Sequence, residues 1–154
     1  MKYLETNRFY LREFTLNDVD SLYKLDFDPE VMRWLTNGVY TPKPEVKRLV
    51  LKIIDMMEKY NHLFGIWVAI ANSNERLLGW FHLIPATDDV DNLKKVELGY
   101  RLFRDLWGQG YATEGSEFLI KKAFDELGVE EICQIQCVLA SCRGKFFSLC
   151  LKVD

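Results

Sequence analysis

The chain has 154 residues, a length that predicts a single domain spanning residues 1–154. Its 20 Lys and Arg residues against 23 Asp and Glu residues give a formal net charge of −3, so it lacks the basic excess typical of nucleic-acid-binding proteins. With 49% hydrophobic and 28% charged residues, its composition excludes the disordered, collagen-like and disulfide-rich classes. We therefore expect a compact folded domain that does not bind nucleic acid.

The sequence predicts neither a membrane span nor an export signal. No apolar run approaches the roughly 20 residues that a transmembrane helix needs, and Glu5, Arg8 and Arg12 interrupt the start of the chain, where a signal peptide would be apolar. The cysteines, whose spacing does not fit a Cys-x2-Cys zinc site, are Cys133, Cys137, Cys142 and Cys150. We expect a cytoplasmic protein with reduced, mostly buried thiols and no metal.

The first half of the chain predicts one strand and three helices. Residues 9–14 alternate as a strand does. Thr15 begins a helix with Asp18 at the capping-box position, and a short second helix follows Asp28. A longer helix begins after Pro42, since apolar residues then recur at steps of three and four.

The second half predicts a hairpin, a third strand and a further helix. Residues 63–71 and 77–84 are apolar, β-branched and aromatic runs joined by a polar turn, which is typical of a hairpin. Residues 96–103 form the next predicted strand, and a helix follows Gly108 and Gly110 and ends near Leu127.

A last strand is predicted at residues 132–139, and a short helix at residues 146–153. The element order favours an α/β (α+β) domain with a mixed, mostly antiparallel central sheet flanked by helices.

The segment from Tyr100 to Gly115, YRLFRDLWGQGYATEG, carries the strongest functional signal. A strand leads into a turn with two glycines, and a helix begins directly after it. The free N–H groups at such a helix start, together with the positive end of the helix dipole, suit a phosphate or diphosphate. The pattern is neither a Walker loop, since no Lys follows Gly110, nor G-x-G-x-x-G, since residue 113 is Thr.

Two stretches resemble a known family. Glu97 to Tyr100 followed by Leu106 to Glu114 closely resembles the acetyl-CoA-binding motif of the GNAT acyltransferases, and Glu5 to Arg12 resembles the first strand of their ribosomal-protein N-acetyltransferase (RimJ/RimL) branch. The resemblance implies a GNAT-like fold and an acetyl-CoA-dependent N-acetyltransferase. It implies that the diphosphate is held at the turn and that the pantetheine pairs with the strand before it. The implied coenzyme-binding residues are Leu102, Phe103, Gly108, Gln109, Gly110, Tyr111, Ala112 and Thr113.

The implied chemistry is direct attack of a primary amine, from a protein N-terminus or a small molecule, on the thioester. Glu97 is the first candidate for the base, and its alternatives are a solvated strand carboxylate or a partner of Arg101. His82 is the second candidate, and Tyr100 is a candidate oxyanion donor or else a core residue. Three aromatic residues are candidates for lining the pocket of the amine acceptor, with the core as their alternative location: Trp34, Tyr40 and Trp80.

The C-terminal region departs from the family pattern. After Leu139 neither the usual Glu-Asn motif nor a Tyr follows, so the resemblance implies that the Tyr general acid and the final hairpin of the family are lacking. Two hypotheses follow: either the strand at 132–139 has an unpaired edge through which a homodimer forms, or the chain is a truncated product with poor turnover. A catalytically silent acyl-CoA-binding or interaction module is therefore the alternative to an enzyme.

Overall fold

The computed structural model describes residues 2–33, 39–86, 91–135 and 148–152. Short 3₁₀ turns at Leu16–Asp18 and Arg104–Leu106 precede α1 and α4. The helices and strands, in chain order, are β1 (Lys2–Glu5), β2 (Phe9–Glu13), α1 (Val19–Phe27), α2 (Pro29–Met32), α3 (Lys43–Lys59), β3 (Gly65–Ala71), β4 (Leu77–Pro85), β5 (Lys95–Leu102), α4 (Tyr111–Glu126), β6 (Glu131–Ile135) and β7 (Ser148–Lys152).

The described strands form one sheet in the order β1 to β7. All neighbouring strands are antiparallel except β5 and β6, which are parallel. Parallel neighbours cannot be joined by a tight hairpin, and here α4 makes the crossover between them. The mixed, mostly antiparallel sheet predicted from the element order is confirmed.

Helices cover both faces of the sheet. On one face α4 packs so closely that a Cβ added at Gly115 would lie 2.4 Å from Cζ of Phe81. On the opposite face, Asp26 of α1 and Met32 of α2 both contact Arg101 of β5. The central strands therefore present one face to α4 and the other to α1 and α2.

The predicted capping box is confirmed. The carboxylate of Asp18 accepts hydrogen bonds from the Thr15 N–H at 2.7 Å and from both terminal nitrogens of Arg12 at 2.8 Å. Asp28 likewise accepts from the N–H of Glu30 at 2.9 Å and begins α2. These contacts are local in sequence, which is why the pattern could predict them.

The structure differs from the sequence expectations at both ends of the chain. Residues 148–152 form strand β7, not a helix, because pairing with β6 selects the extended form of a segment too short to be stable alone. The strand β1 at Lys2–Glu5 was not predicted. Because β7 pairs with β6, the edge of Glu131–Ile135 is occupied within the chain, contrary to the expectation of an unpaired edge. A homodimer stays a prediction.

Candidate active site

Alternation along β5 decides which backbone groups face its two neighbours. The Phe103 N–H donates to the carbonyl of Leu78, and the Ala86 N–H donates to the carbonyl of Lys95, both at 3.0 Å. The odd-numbered residues of β5 therefore direct their backbone groups toward β4. In a regular strand the intervening residues direct theirs the other way, so the backbone groups of residues 98, 100 and 102 face the β6 side.

Among the described residues, no strand pairs with the β6 side of β5 along its second half, which we call the open edge. Pairing with β6 extends from Lys95 to Leu98, and within the described residues no strand continues it beyond that point. The Leu102 carbonyl accepts a hydrogen bond from the Trp107 indole N–H at 3.0 Å. The groups left at the open edge are the N–H and C=O of Tyr100 and the N–H of Leu102. Phe103, predicted to contribute to this edge, has its N–H bonded to β4 instead.

The open edge leads to the glycine turn. Gly108 and Gly110 have φ of +73° and +80°, in the left-handed region where residues with a side chain are strained. A Cβ added at Gly108 would meet no atom of the described residues within 4 Å, so none of them blocks a ligand at the turn. Gly110 is the N-cap of α4, and the Glu114 N–H makes the first bond of the helix, to the Gly110 carbonyl at 3.0 Å.

The amides before Glu114 have no acceptor within the helix, so those of residues 110–113 can serve an anion. The Gln109 N–H is directed at the Leu106 carbonyl at 3.4 Å. The set of free backbone amides at this turn therefore lacks Gln109, which the resemblance had included.

An acidic residue in the turn is neutralised by a neighbour. Both carboxylate oxygens of Asp105 accept hydrogen bonds from Arg76, at 2.7 and 2.8 Å. This ion pair lowers the pKa of Asp105. Arg76 lies just before β4, and nothing in the local sequence indicates that it meets the turn.

Glu97 lies beside His82 on the face of β5 that is opposite α4. Its Oε1 is 3.4 Å from Nε2 of His82, without hydrogen-bond geometry, and the two side chains are 12% and 14% exposed. The imidazole packs over Gly99, where a Cβ would lie 2.6 Å from its Cε1. Glu97 is buried, so it is not a solvated strand carboxylate. It is not the partner of Arg101 either, because Arg101 bonds to a different carboxylate.

Arg101 forms a buried ion pair that sequence reasoning missed. Its Nη1 donates to Oδ1 of Asp26 at 2.5 Å, and Asp26 is 2% exposed. Burial raises the pKa of Asp26, and the Arg101 charge opposes that shift. The one signal in the sequence is that Asp26 follows Leu22 by four residues, on the apolar side of α1.

The structure separates the other predicted residues. Tyr100 lies on the α4 face, with its ring 5.7 Å from that of Phe81, so it does not share a face with Glu97. Burial raises the pKa of its hydroxyl. Trp80 stacks beside His82 with a centroid distance of 5.7 Å, and exposed Tyr40 packs on Phe27 instead. Trp34 lies outside the described residues.

Metal-binding clusters and membrane-spanning helices are both absent from the described ranges. There, no group of three or more His, Cys, Asp or Glu side chains is placed to hold a metal ion. No helix in the same ranges combines the length and apolar character needed to cross a membrane.

Comparison with known proteins identifies the family. The family described as acetyltransferase (GNAT) domain matches residues 8–138. This chain belongs to the GNAT acetyltransferase family. It is 33% identical over 125 residues to the FsC-acetyl coenzyme A-N(2)-transacetylase of Aspergillus fumigatus. The matched region is 79% of this chain and 49% of that protein. It is 30% identical to the uncharacterized N-acetyltransferase p20 of Bacillus licheniformis, covering 86% of this chain and 71% of that protein.

Solved GNAT structures share the fold. A GNAT-family acetyltransferase from Bacillus anthracis matches with a TM-score of 0.71 and 19% identity, over 85% of this chain and 71% of that one. A RimL ribosomal-protein acetyltransferase in complex with coenzyme A matches with a TM-score of 0.67 and 14% identity, over 84% and 71%. The predicted GNAT family and fold are confirmed. The chain spans about half the length of its fungal relative.

Proposed function

We propose that this chain transfers the acetyl group of acetyl-CoA to a primary amine. The observation that carries the proposal is an open edge on β5 that leads into a glycine turn and a helix N-terminus, in a chain of the GNAT family. In the proposed reaction the amine nitrogen attacks the thioester carbonyl carbon. The carbon–sulfur bond then breaks, the amine loses a proton, and coenzyme A leaves as the thiol.

The two ends of the coenzyme match two features of the site. Pantetheine carries two amides, which need backbone partners at an unpaired strand edge, as Tyr100 and Leu102 provide. The diphosphate needs several N–H donors at the positive end of a helix, as residues 110–113 provide. Both features belong to one continuous segment, so a single bound molecule can use them together.

Glu97 is the residue we propose as the base. It is buried beside the open half of β5, and no described cation forms a hydrogen-bonded ion pair with it. A carboxylate in that position can take the proton of the amine directly or through a water molecule. His82, whose Nε2 has no hydrogen-bond partner among the described residues, remains the second candidate.

The acceptor class is an amine, either a protein N-terminus or a small molecule. The names of two relatives, an N(2)-transacetylase and an N-acetyltransferase, support nitrogen as the atom that receives the acetyl group. A carboxylate at the base position also favours a cationic acceptor over an anionic one.

Calorimetric titration of acetyl-CoA tests the coenzyme site. Gly108→Ala is compared with Gly128→Ala, because both glycines have positive φ, of +73° and +69°, and neither faces any atom within 4 Å. The two variants carry the same backbone strain of about 1–2 kcal/mol, but only the first adds a methyl group to the turn. We expect acetyl-CoA affinity to fall at least tenfold in Gly108→Ala alone.

Turnover is measured as thiol release with a panel of amines, including a peptide with a free N-terminus. Absence of acetyl-CoA binding by the unmodified chain would refute the proposal. Binding without thiol release from any amine would favour the silent acyl-CoA-binding module.

A further inference from the structure

Arg8 reaches the glycine turn from the far end of the chain. It lies just before β2, and its Nη1 donates to the carbonyl of Gln109 at 2.8 Å. Its Nε and its backbone N–H donate to the two carboxylate oxygens of Glu114, at 2.5 and 3.2 Å. Its guanidinium also lies over the ring of Tyr111, 4.0 Å from the centroid. One arginine therefore holds the turn and the first turn of α4 together.

The bond to Gln109 fixes the direction of a peptide group. In a trans peptide the C=O of residue 109 and the N–H of residue 110 point in opposite directions. Because Arg8 draws the Gln109 carbonyl to its own side, the Gly110 N–H points to the other side. Without that bond the peptide can rotate, since Gly110 tolerates many backbone conformations. A carbonyl turned toward the diphosphate would repel it.

The bonds to Glu114 offset a charge in the wrong place for an anion site. Glu114 lies in the first turn of α4, and its side chain is 16% exposed. A carboxylate there weakens the positive potential of the helix N-terminus, which would otherwise attract a phosphate. Burial alone would raise the pKa of Glu114, but hydrogen bonds from Thr6 and Arg8 outweigh it and the pKa is lowered. Glu114 is thus ionised at neutral pH, and Arg8 supplies the compensating charge.

We propose that Arg8 is a positioning residue for the diphosphate of acetyl-CoA, acting through the Gly110 amide and through Glu114. The inference rests on the proposed use of acetyl-CoA. The competing explanation is that the Arg8–Glu114 pair only fastens α4 to the sheet. The two explanations differ in whether loss of Arg8 and loss of Glu114 have the same effect.

The test compares Arg8→Gln, Glu114→Gln and the double variant by calorimetry. Each is titrated with coenzyme A and with acetyl-pantetheine, which has no diphosphate. Arg48→Gln is the control, since Arg48 forms an exposed ion pair with Glu45 on α3. Thermal melting of every variant shows that it is folded, and Arg8→Lys replaces Arg8→Gln if the latter is not.

We expect Arg8→Gln to weaken coenzyme A binding about tenfold or more, the effect of losing one charged hydrogen-bonding partner. Acetyl-pantetheine binding should change less than about twofold. Glu114→Gln should leave coenzyme A affinity unchanged or improve it, and the double variant should recover part of the loss.

Equal losses in Arg8→Gln and Glu114→Gln, or equal losses for both ligands, would overturn the inference. Unchanged coenzyme A affinity in Arg8→Gln would do the same. If the unmodified chain binds no coenzyme A, the proposed function fails first, and this inference fails with it.

Discussion

Replacing Gly99 with alanine tests how β5 holds His82 beside Glu97. The new Cβ would lie 2.6 Å from Cε1 and 2.7 Å from Nε2 of His82. Non-bonded carbon atoms are at their optimum separation near 3.5–4.0 Å, so the ring must move by about 1 Å. Gly99 does not have a positive φ, so alanine introduces no backbone strain of its own.

The expected loss of stability follows from two opposing terms. Inserting a methyl group into a packed site costs about 1–3 kcal/mol. Lower backbone entropy of the unfolded chain returns about 0.4–1 kcal/mol. The net expectation is a loss of about 0–2.6 kcal/mol, with a centre of about 1.3 kcal/mol. Each kcal/mol lowers Tm by about 2–4 °C in a chain of this length.

A double-mutant cycle with His82→Ala isolates the steric term. If the imidazole is the atom group that clashes, Gly99→Ala in the His82→Ala background is neutral or slightly stabilising. The coupling free energy, measured by urea denaturation, should then be at least about 1 kcal/mol. Additivity within about 0.5 kcal/mol would show that the ring does not lie over Gly99, and would refute the placement of His82 beside Glu97.

Three further substitutions give separate outcomes. Asp26→Asn leaves the buried charge of Arg101 without its carboxylate and should lower the free energy of unfolding by about 3–5 kcal/mol, whereas a loss below about 1 kcal/mol in urea denaturation would contradict the buried pair. Asp18→Asn should cost about 1–2 kcal/mol at neutral pH. Burial would raise the pKa of Asp18, but hydrogen bonds, among them those from Arg12, outweigh it and lower this pKa from 3.8. The greater stability of the unmodified chain is therefore present above pH 3.8 and disappears as the pH falls through the lower folded-state pKa. Equal acid unfolding curves for the two proteins would contradict this. Glu97→Gln should lower kcat about a hundredfold or more with acetyl-CoA affinity within about twofold, and an unchanged kcat would exclude Glu97 as the base.

Features whose parts are close in sequence could be predicted. Two such features are the capping box of Thr15 and Asp18 and the glycine turn at residues 108–110. In each, the residues that form the feature are only a few positions apart. Their geometry depends on local backbone preferences, which the residue types specify directly. The glycine turn that we propose as part of the coenzyme site could be predicted from the sequence for this reason.

Features whose parts are distant in sequence could not be predicted. Arg8 meets Glu114 across 106 positions, and Arg101 meets Asp26 across 75. Which charges pair in these cases depends on the sheet order and on helix placement, which no local pattern encodes. The segment at 148–152 shows the same limit, because its form is decided by β6 and not by its own composition.

The alternation of β5 gives the proposed reaction a geometric basis. Its even-numbered backbone groups face the open edge, where the pantetheine would bind, while the side chains of Glu97 and Arg101 lie on the face toward α1 and α2. In the proposed reaction, an amine arriving from that face would meet Glu97 at the strand beside which the thioester would bind. Arg101 would repel a cationic amine if its charge were uncompensated, but Asp26 offsets it at 2.5 Å. The buried pair therefore leaves Glu97 as the uncompensated charge among these three side chains, which suits the amine acceptor that we propose.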